Sequence, residues 1–211
     1  MNYTLPLFPL NLVVYPQSFY PLHIFEERYK LLVSKCIKED SEFGIIAIDK
    51  ESGKLQDIGT KVKVYNVLKL YENHEFDIVV QGTGRFKLLE HSELVENEVT
   101  EGTVEDYIDT NPFGDQQKIS RMFTDFEHFK EKLSIPLDAK FYNALETARC
   151  KSFKIAEKVG FELEQQLTLI AIRDENVRLQ LLTDYMAEFL VRYELRKAVE
   201  KIVIGDGYLE F

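Results

Sequence analysis

The sequence predicts an α+β protein, with a β-rich first half, residues 1–112, and a helical second half, residues 113–211. The apolar residues change from a spacing of about two to a spacing of about 3.6 at TNPFGD, residues 110–115. Prolines are dense in the opening segment, and they exclude a regular helix there. The first half is therefore predicted to form a twisted β pseudo-barrel with one main helix. The second half is predicted to form a helical bundle that ends in a long helix.

The opening segment, residues 5–29, is apolar but interrupted by Pro6, Pro9, Pro16 and Pro21. A residue that precedes proline favours extended geometry, so the segment is predicted as extended pieces joined by turns at a sheet edge or barrel corner. No basic residue precedes the apolar run, as a secretory signal requires. Polar residues also interrupt it before it reaches the ~20 apolar residues of a membrane span. We therefore expect no membrane association and a cytoplasmic location.

The rest of the first half contains three strand patterns and one helix pattern. FGIIAI, residues 43–48, is typical of a buried strand, and KVKVYNVLKL, residues 61–70, alternates at Val62 and Val64. FDIVVQGTGRFKLLE, residues 76–90, predicts two strands around a turn at GTG, residues 82–84. An amphipathic stripe predicts a helix near residues 26–39, with Cys36 as a buried thiol on its apolar face.

Helical spacing dominates the second half. One stripe contains Ile119, Met122, Phe123, Phe126 and Leu133, and a second contains Phe141, Ala144, Leu145 and Ala148. Ser152 is predicted to cap the helix that follows. Asp174 is predicted to cap the last helix, which extends to about residue 203 and has one face made of Leu182, Tyr185, Met186, Phe189, Leu190 and Tyr193.

Composition and charge exclude several classes of function. The net charge is −10, and residues 1–110 carry 11 Lys and Arg against 19 Asp and Glu. Because nucleic-acid binding depends on neutralising phosphates, this acidic half disfavours it. The two cysteines form no CxxC unit, and His23, His74, His91 and His128 lack the spacing of metal ligands. We therefore expect no metal and no cofactor.

The chain opens with the motifs LPLFPLNLVVYP, residues 5–16, and PLHIFEERY, residues 21–29. These motifs resemble the opening of the N-terminal domain of Lon proteases, the region that precedes their ATPase. GTKVKVYNVLKL and IVVQGTGRFKLLE resemble its second half, including a G-x-x-R-F turn at Gly82, Arg85 and Phe86. Residues 152–190 are similar to the helical segment that follows the β domain in Lon. The chain departs from the family at YENHEF, residues 71–76, where Asp-Gly is frequent, so this hairpin is expected to be longer or differently shaped.

The resemblance implies a PUA-like β pseudo-barrel and a role in recognising unfolded or partner polypeptide. The chain contains no Walker A loop, G-x-x-x-x-G-K-[ST], and no sequence context of the Lon Ser–Lys protease pair. It is therefore interpreted as a free-standing, non-catalytic front end of Lon. Two alternatives stay open: an RNA-binding PUA-like protein, since several PUA-like folds bind RNA, and an unrecognised enzyme.

The candidate polypeptide-binding surface is the segment 15–25 together with the predicted GTG hairpin. Tyr15, Phe19 and Tyr20 lie beside prolines, where burying every ring is difficult, and exposed aromatics are favoured in binding. The prolines are also expected to leave nearby backbone carbonyls open to an extended peptide. Phe25, Arg85 and Phe86 complete the set. In the alternative, the three rings plug the barrel, and the binding groove lies between the barrel and the last helix, near Tyr185, Phe189 and Tyr193.

Overall fold

The computed structural model describes residues 1–49 and 51–205, with side chains described as far as residue 200. The predicted α+β class is confirmed. The strands are β1 Asn2–Leu10, β2 Phe19–Ile24, β3 Phe43–Ala47, β4 Ile58–Leu70, β5 Phe76–His91 and β6 Thr100–Asp106. The helices are α1 Glu27–Glu39, α2 Gln116–Leu133, α3 Ala139–Thr147, α4 Lys151–Ala156, α5 Leu163–Ala171 and α6 Glu175–Gly205.

The chain forms two compact units. Unit 1 contains residues 1–110 and 156–173, and unit 2 contains residues 111–155 and the described part of 174–211. The division at residues 112 and 113 stays a prediction about domains. The compact units separate between Thr110 and Asn111 and also place α5 with the strands of unit 1.

The strands of unit 1 form a closed pseudo-barrel with one additional strand. The sheet order is β2-β5-β4-β3-β1-β6, and β6 also pairs with β5, which closes a ring of five strands. β1 and β3 are parallel, and the other pairs are antiparallel. Because the ring closes through β5, β2 lies outside it and pairs with β5 alone among the strands that the structure describes.

Two buried clusters fill unit 1. The apolar face of α1 packs against the sheet, and the Tyr29 ring of this helix stacks on Phe8 of β1 at a centroid distance of 3.7 Å. Cys36 is buried on the same face, as predicted. Around Phe86, the second cluster joins Leu5, Leu7, Ile46 and Val104. The apolar stripe of α1 and the inward-facing strand residues are therefore buried against each other, because removing apolar surface from water is favourable.

The predicted turn at GTG is wrong, because β5 continues through Gly82 and Gly84 as one strand. Neither glycine has a positive φ, so neither supplies a turn conformation. Instead, a Cβ at Gly82 would lie 2.3 Å from the carbonyl oxygen of Tyr15, and glycine is needed there for close backbone approach. The turn that does exist joins β4 to β5 over residues 71–75, where His74 has a φ of 62°.

Unit 2 is built from capped helices. The Asp115 side chain accepts from the Gln117 amide at 2.9 Å at the start of α2. At the start of α6, Asp174 accepts from the Asn176 amide at 2.8 Å, and this second cap is the predicted one. α2 packs on α6 through Phe129 and Phe189, whose ring centroids are 5.4 Å apart.

The predicted cap at Ser152 is wrong. This serine lies inside α4, is fully buried, and its hydroxyl donates to Glu175 Oε2 at 2.6 Å. Its hydroxyl therefore donates a hydrogen bond to a buried carboxylate and does not cap the backbone amides at the start of a helix.

Candidate functional site

The segment that links β1 to β2 is fixed onto β5 by backbone hydrogen bonds. The Gln17 amide donates to the Gly82 carbonyl at 2.8 Å, and the Gly82 amide donates to the Ser18 carbonyl at 3.0 Å. Gln17 adopts a φ of 65°, which turns the chain after Pro16. Because Gly82 has no side chain, the Tyr15 backbone lies directly against β5. The resulting turn holds Tyr15, Phe19 and Tyr20 in fixed positions at one end of unit 1.

Three backbone carbonyls in this turn already have partners, which corrects, for these three, the expectation that the prolines leave nearby carbonyls open. Val14 O accepts from the Thr60 hydroxyl at 2.5 Å, and Tyr15 O accepts from the Ser18 amide at 3.1 Å. Ser18 O accepts from Gly82, as described above. The turn therefore offers a peptide its side chains rather than these three carbonyls.

A cleft of about 540 Å³ opens beside the turn. One wall is the chain from Asn11 to Pro21, and the other is the link between α4 and α5 with the first turns of α5, all within unit 1. The Ser18 hydroxyl donates to Glu157 Oε1 at 2.5 Å and so connects the two walls. Polar and apolar groups line the cleft, which is large enough for a bulky side chain of a ligand.

Of the four predicted aromatic residues in segment 15–25, one is buried and three are exposed. Tyr15 is 5% exposed and belongs to the interior, which corrects the expectation that it lies on the surface. Phe19 is 48% exposed, Tyr20 is 36% exposed, and both line the cleft. Phe25 is 60% exposed and stacks on His23 at a centroid distance of 6.0 Å. The sequence allowed either an exposed binding surface or rings that plug the barrel. The exposed Phe19, Tyr20 and Phe25 agree with the first interpretation, and the buried Tyr15 agrees with the second.

Arg85 and Phe86 are both buried, which corrects their assignment to an exposed hairpin. Phe86 is at the centre of the second core cluster. Arg85 donates to the carbonyls of Ile170 and Ile172, at 2.8 Å for the latter, and forms an ion pair with Asp109. These carbonyls lie at the C-terminal end of α5, where a cation is favourable. Arg85 therefore links β5 to the C-terminal end of α5 by hydrogen bonds within unit 1.

Sequence reasoning missed Tyr65 as a member of this surface. Tyr65 is 65% exposed, and its ring contacts Phe19 edge to face at a centroid distance of 4.7 Å. The register of β4 against β5 shifts between Val64 and Asn66, so Tyr65 is an extra residue in β4. The signal in the sequence was the loss of strict alternation after Val64, which is where the bulge begins.

Charged groups surround the other end of β2. His23 Nδ1 lies 2.7 Å from Asp77 Oδ1, and His23 Nε2 lies 3.4 Å from Glu75 Oε2. Hydrogen bonds from Tyr71 and His23 lower the pKa of the Asp77 carboxyl below its ordinary value. In the cleft, burial and, to a smaller extent, the negative charge of Glu157 raise the pKa of the Tyr15 phenol. In the part of the chain that the structure describes, no group of three or more His, Cys, Asp or Glu residues is arranged to hold a metal ion.

The alternative site residues lie together on α6 in unit 2. The rings of Tyr185 and Phe189 are 5.9 Å apart and those of Phe189 and Tyr193 are 6.5 Å apart, and all three residues are partly buried. The predicted groove at this helix stays a prediction. A separate cleft of about 470 Å³ within unit 2 is lined by His128, Lys132, Leu190, Val191, Glu194 and Leu195, and contains none of the three rings.

The fold and the cleft define a class of protein: a β pseudo-barrel domain, with helices that continue its chain, that presents aromatic side chains at a cleft. The family model described as ATP-dependent protease La (LON) substrate-binding domain matches residues 4–188 of the chain. The chain therefore belongs to the Lon substrate-binding domain family, and the resemblance found in the sequence is confirmed.

Similar proteins are consistent with this assignment. A Lon protease of Cytophaga hutchinsonii is 22% identical over 96% of the chain, and Lon protease 2 of Syntrophobacter fumaroxidans is 23% identical over 93%. The chain spans 26% of the length of each of these relatives.

Two solved structures have a similar fold. The Lon N-terminal domain protein from Xanthomonas campestris has a TM-score of 0.66, at 23% identity, over 87% of this chain and 99% of its own. The N-terminal domain of the Mycobacterium avium complex Lon protease has a TM-score of 0.63, at 13% identity, over 88% of this chain and 98% of its own. Among the helices that the structure describes, none has the length and apolar character required to cross a membrane.

Proposed function

We propose that this protein is a non-catalytic module that binds unfolded or partner polypeptide at the cleft beside Phe19 and Tyr20. The observation that carries the proposal is that a chain of the substrate-binding family exposes two aromatic rings at a cleft. Aromatic side chains contribute a large contact area and lose little rotamer entropy on binding. The name aromatic surface is used below for the cleft with its lining residues Phe19 and Tyr20, together with Tyr65, which contacts Phe19, and Phe25, which stacks on His23 at the other end of β2.

The ligand class follows from the chemistry of the aromatic surface. Its rings favour aliphatic and aromatic side chains, which unfolded polypeptides expose and folded proteins bury. The two cysteines of the chain, Cys36 and Cys150, are buried thiols, which fits our placement of this activity in the cytoplasm. The proposal contains no catalytic step, because the family model identifies a substrate-binding domain.

RNA binding is the alternative that the charge disfavours. Among the described residues that line the cleft, Lys158 is the one basic residue. Two acidic residues, Glu157 and Glu162, line the same cleft, so its lining offers no cluster of lysines or arginines to a phosphate backbone. Phosphate-driven binding weakens steeply with salt, whereas capture of apolar side chains does not.

A paired substitution tests the proposal. Phe19→Ser with Tyr20→Ser is expected to weaken binding of fluorescein-labelled, reduced and carboxymethylated ribonuclease by at least about tenfold, or about 1.4 kcal/mol. Because both rings are substantially exposed, the melting temperature is expected to fall by no more than about 5 °C. Leu31→Ser, at an exposed position of α1 outside the cleft, is the matched control and keeps the affinity of the parent.

The measurement is fluorescence anisotropy from about 50 mM to about 500 mM NaCl, with a single-stranded RNA probe in parallel. An unchanged affinity of the double variant for the unfolded polypeptide would move the binding site elsewhere. Tight RNA binding that disappears with salt would instead favour the alternative.

A further inference from the structure

The β2 strand has one edge without a strand partner. It pairs with β5 from Phe19↔Gln81 to Ile24↔Phe76, and the five-stranded ring closes without it. In the described residues, no backbone hydrogen bond joins its other edge to the chain. Phe19, Tyr20, Pro21 and His23 are all exposed. This edge is therefore accessible to a ligand and adjoins the aromatic surface.

Successive residues of a strand direct their backbone N–H and C=O groups to opposite sides, and this alternation shows which groups of β2 lie on the free edge. The Gly82 amide donates to the Ser18 carbonyl, so the carbonyl of Ser18 faces β5. In a strand, the N–H and C=O of one residue face the same neighbour, and the next residue faces the opposite side. Tyr20, Leu22 and Ile24 therefore face β5, whereas Phe19, Pro21 and His23 face the free edge.

Pro21 occupies a position of the edge strand that tolerates a proline. Its missing N–H lies on the free edge, so the β2–β5 ladder loses no donor. The free edge then presents the N–H groups of Phe19 and His23 and the C=O groups of Phe19, Pro21 and His23. These groups repeat at every second residue, which is the spacing of a second extended backbone and not of a helix.

Side chains on the two faces of β2 differ in their surroundings. Phe19 contacts Tyr65 on one face, and His23, four residues further on, contacts Phe25 on that face. Tyr20, the next residue after Phe19, points to the opposite face, and the cleft is lined by both Phe19 and Tyr20. An extended peptide beside β2 would therefore place its side chains alternately beside the Phe19–Tyr65 pair and beside Tyr20.

We propose that the bound polypeptide adds to the free edge of β2 as a further strand, in a binding mode that rests on the proposed function. The substrate class is an extended segment with large apolar side chains at every second residue. Its backbone pairs with the edge-facing groups of Phe19, Pro21 and His23, and affinity comes from these hydrogen bonds together with the aromatic surface. A proline at a residue of the segment that must donate to the edge prevents binding.

Backbone N-methylation of a peptide probe tests the pairing directly. The probe is a short fluorescein-labelled peptide in which phenylalanine and threonine alternate, which prevents a one-residue shift of register. One variant is N-methylated at every phenylalanine and the other at every threonine. N-methylation removes donors from one edge of the peptide only, so one variant is expected to lose at least about tenfold in affinity while the other stays within about threefold.

Each result separates the binding mode from the proposed function. Equal affinities, or equal losses, for the two methylated probes overturn strand addition and leave polypeptide capture intact. Failure of the unmethylated probe to bind overturns both. Two results together support both strand addition and polypeptide capture. The unmethylated probe no longer binds the variant with Phe19→Ser and Tyr20→Ser, and the parent protein binds the two methylated probes with different affinities.

Hydrogen exchange gives a second measurement on the full chain. In the free protein, the amides of Tyr20, Leu22 and Ile24 are expected to exchange slowly, and those of Phe19 and His23 rapidly, because only the first three donate to β5. The unmethylated probe is expected to slow exchange at Phe19 and His23. Protection of neither amide at saturating probe overturns strand addition, whatever the affinity.

Discussion

Three aromatic residues within six positions have different environments, and the local chain path explains the difference. Tyr15 precedes the turn and packs into unit 1, whereas Phe19 and Tyr20 follow it on a strand with a free edge. The sequence predicts that these rings lie close together, because they flank prolines in a predicted turn. It does not show which ring faces the interior. That outcome depends on where the turn meets β5, a contact between residues far apart in the chain.

Gly82 shows why one part of the site was beyond sequence reasoning. Two glycines around a threonine are typical of a hairpin turn, so the pattern predicts a turn at this position. The reason for glycine at position 82 is the Tyr15 carbonyl, which approaches from another segment of the chain. A local pattern contains no information about such an approach, so a strand glycine and a turn glycine look alike.

A pair of glycine substitutions tests this explanation. Gly82→Ala places a Cβ 2.3 Å from the Tyr15 carbonyl oxygen and forces the backbone to move, so we expect a loss of about 1–3 kcal/mol in unfolding free energy. Gly84→Ala is the matched control on the same strand, since its nearest neighbour is Lys61 Cε at 3.4 Å, and should change stability by less than about 0.5 kcal/mol. Urea denaturation followed by circular dichroism measures both. Equal stabilities for the two variants would contradict the close-approach argument.

Elements were predicted well where their periodicity is strong. α1 and the long α6 follow apolar stripes, and their starts agree closely with the sequence, because helix spacing and an aspartate cap are local signals. α5 was not separated from the other helices of the second half. Its place in unit 1 depends on Arg85 of β5, which binds its C-terminal carbonyls. No spacing rule connects a strand arginine to a helix so distant in the chain.

Within unit 2, α4 and α6 are joined by a buried polar network. Arg178 Nε donates to Glu175 Oε2 at 3.0 Å and to the Ser152 hydroxyl at 3.0 Å, and Glu175 Oε1 accepts from the Ser152 amide at 2.9 Å. The guanidinium also lies 4.4 Å from the centre of the Phe153 ring. Because Arg178, Glu175 and Ser152 are almost fully buried, each depends on the others to satisfy its polar groups.

Removing Arg178 is therefore expected to destabilise the protein. Arg178→Met leaves a buried carboxylate at Glu175 without its counterion, and the expected loss is about 3–5 kcal/mol in unfolding free energy. Arg196→Met is the matched control on the same helix, because the Arg196 side chain is 82% exposed and its pair with Glu200 contributes only about 0.3–0.5 kcal/mol. Denaturant titration of the two variants measures the difference. A loss below about 1 kcal/mol for Arg178→Met would show that the network is replaceable by apolar packing.

Across the whole molecule, the charge of −10 acts on every ligand before contact. Such a charge attracts cations over about 10 Å at ordinary salt and raises their association rate. It does not supply the short-range energy, which in our proposal comes from apolar contact and strand pairing at the aromatic surface. The two contributions therefore differ in their response to salt, and the total affinity can be divided between them.

Two probes with the same apolar centre and different flanks divide the affinity in this way. The alternating phenylalanine–threonine peptide is made once with lysines at both ends and once with glutamates. At about 50 mM NaCl, the lysine-flanked probe is expected to bind at least about threefold more tightly, chiefly through faster association. Above about 500 mM NaCl the two affinities should converge, because exposed charges are then screened, while both probes remain bound. Stopped-flow association and dissociation rates, measured over this range, give both contributions. If both probes dissociated fully at high salt, charge rather than the aromatic surface would hold the ligand, and the cleft at Phe19 and Tyr20 would not be the polypeptide site.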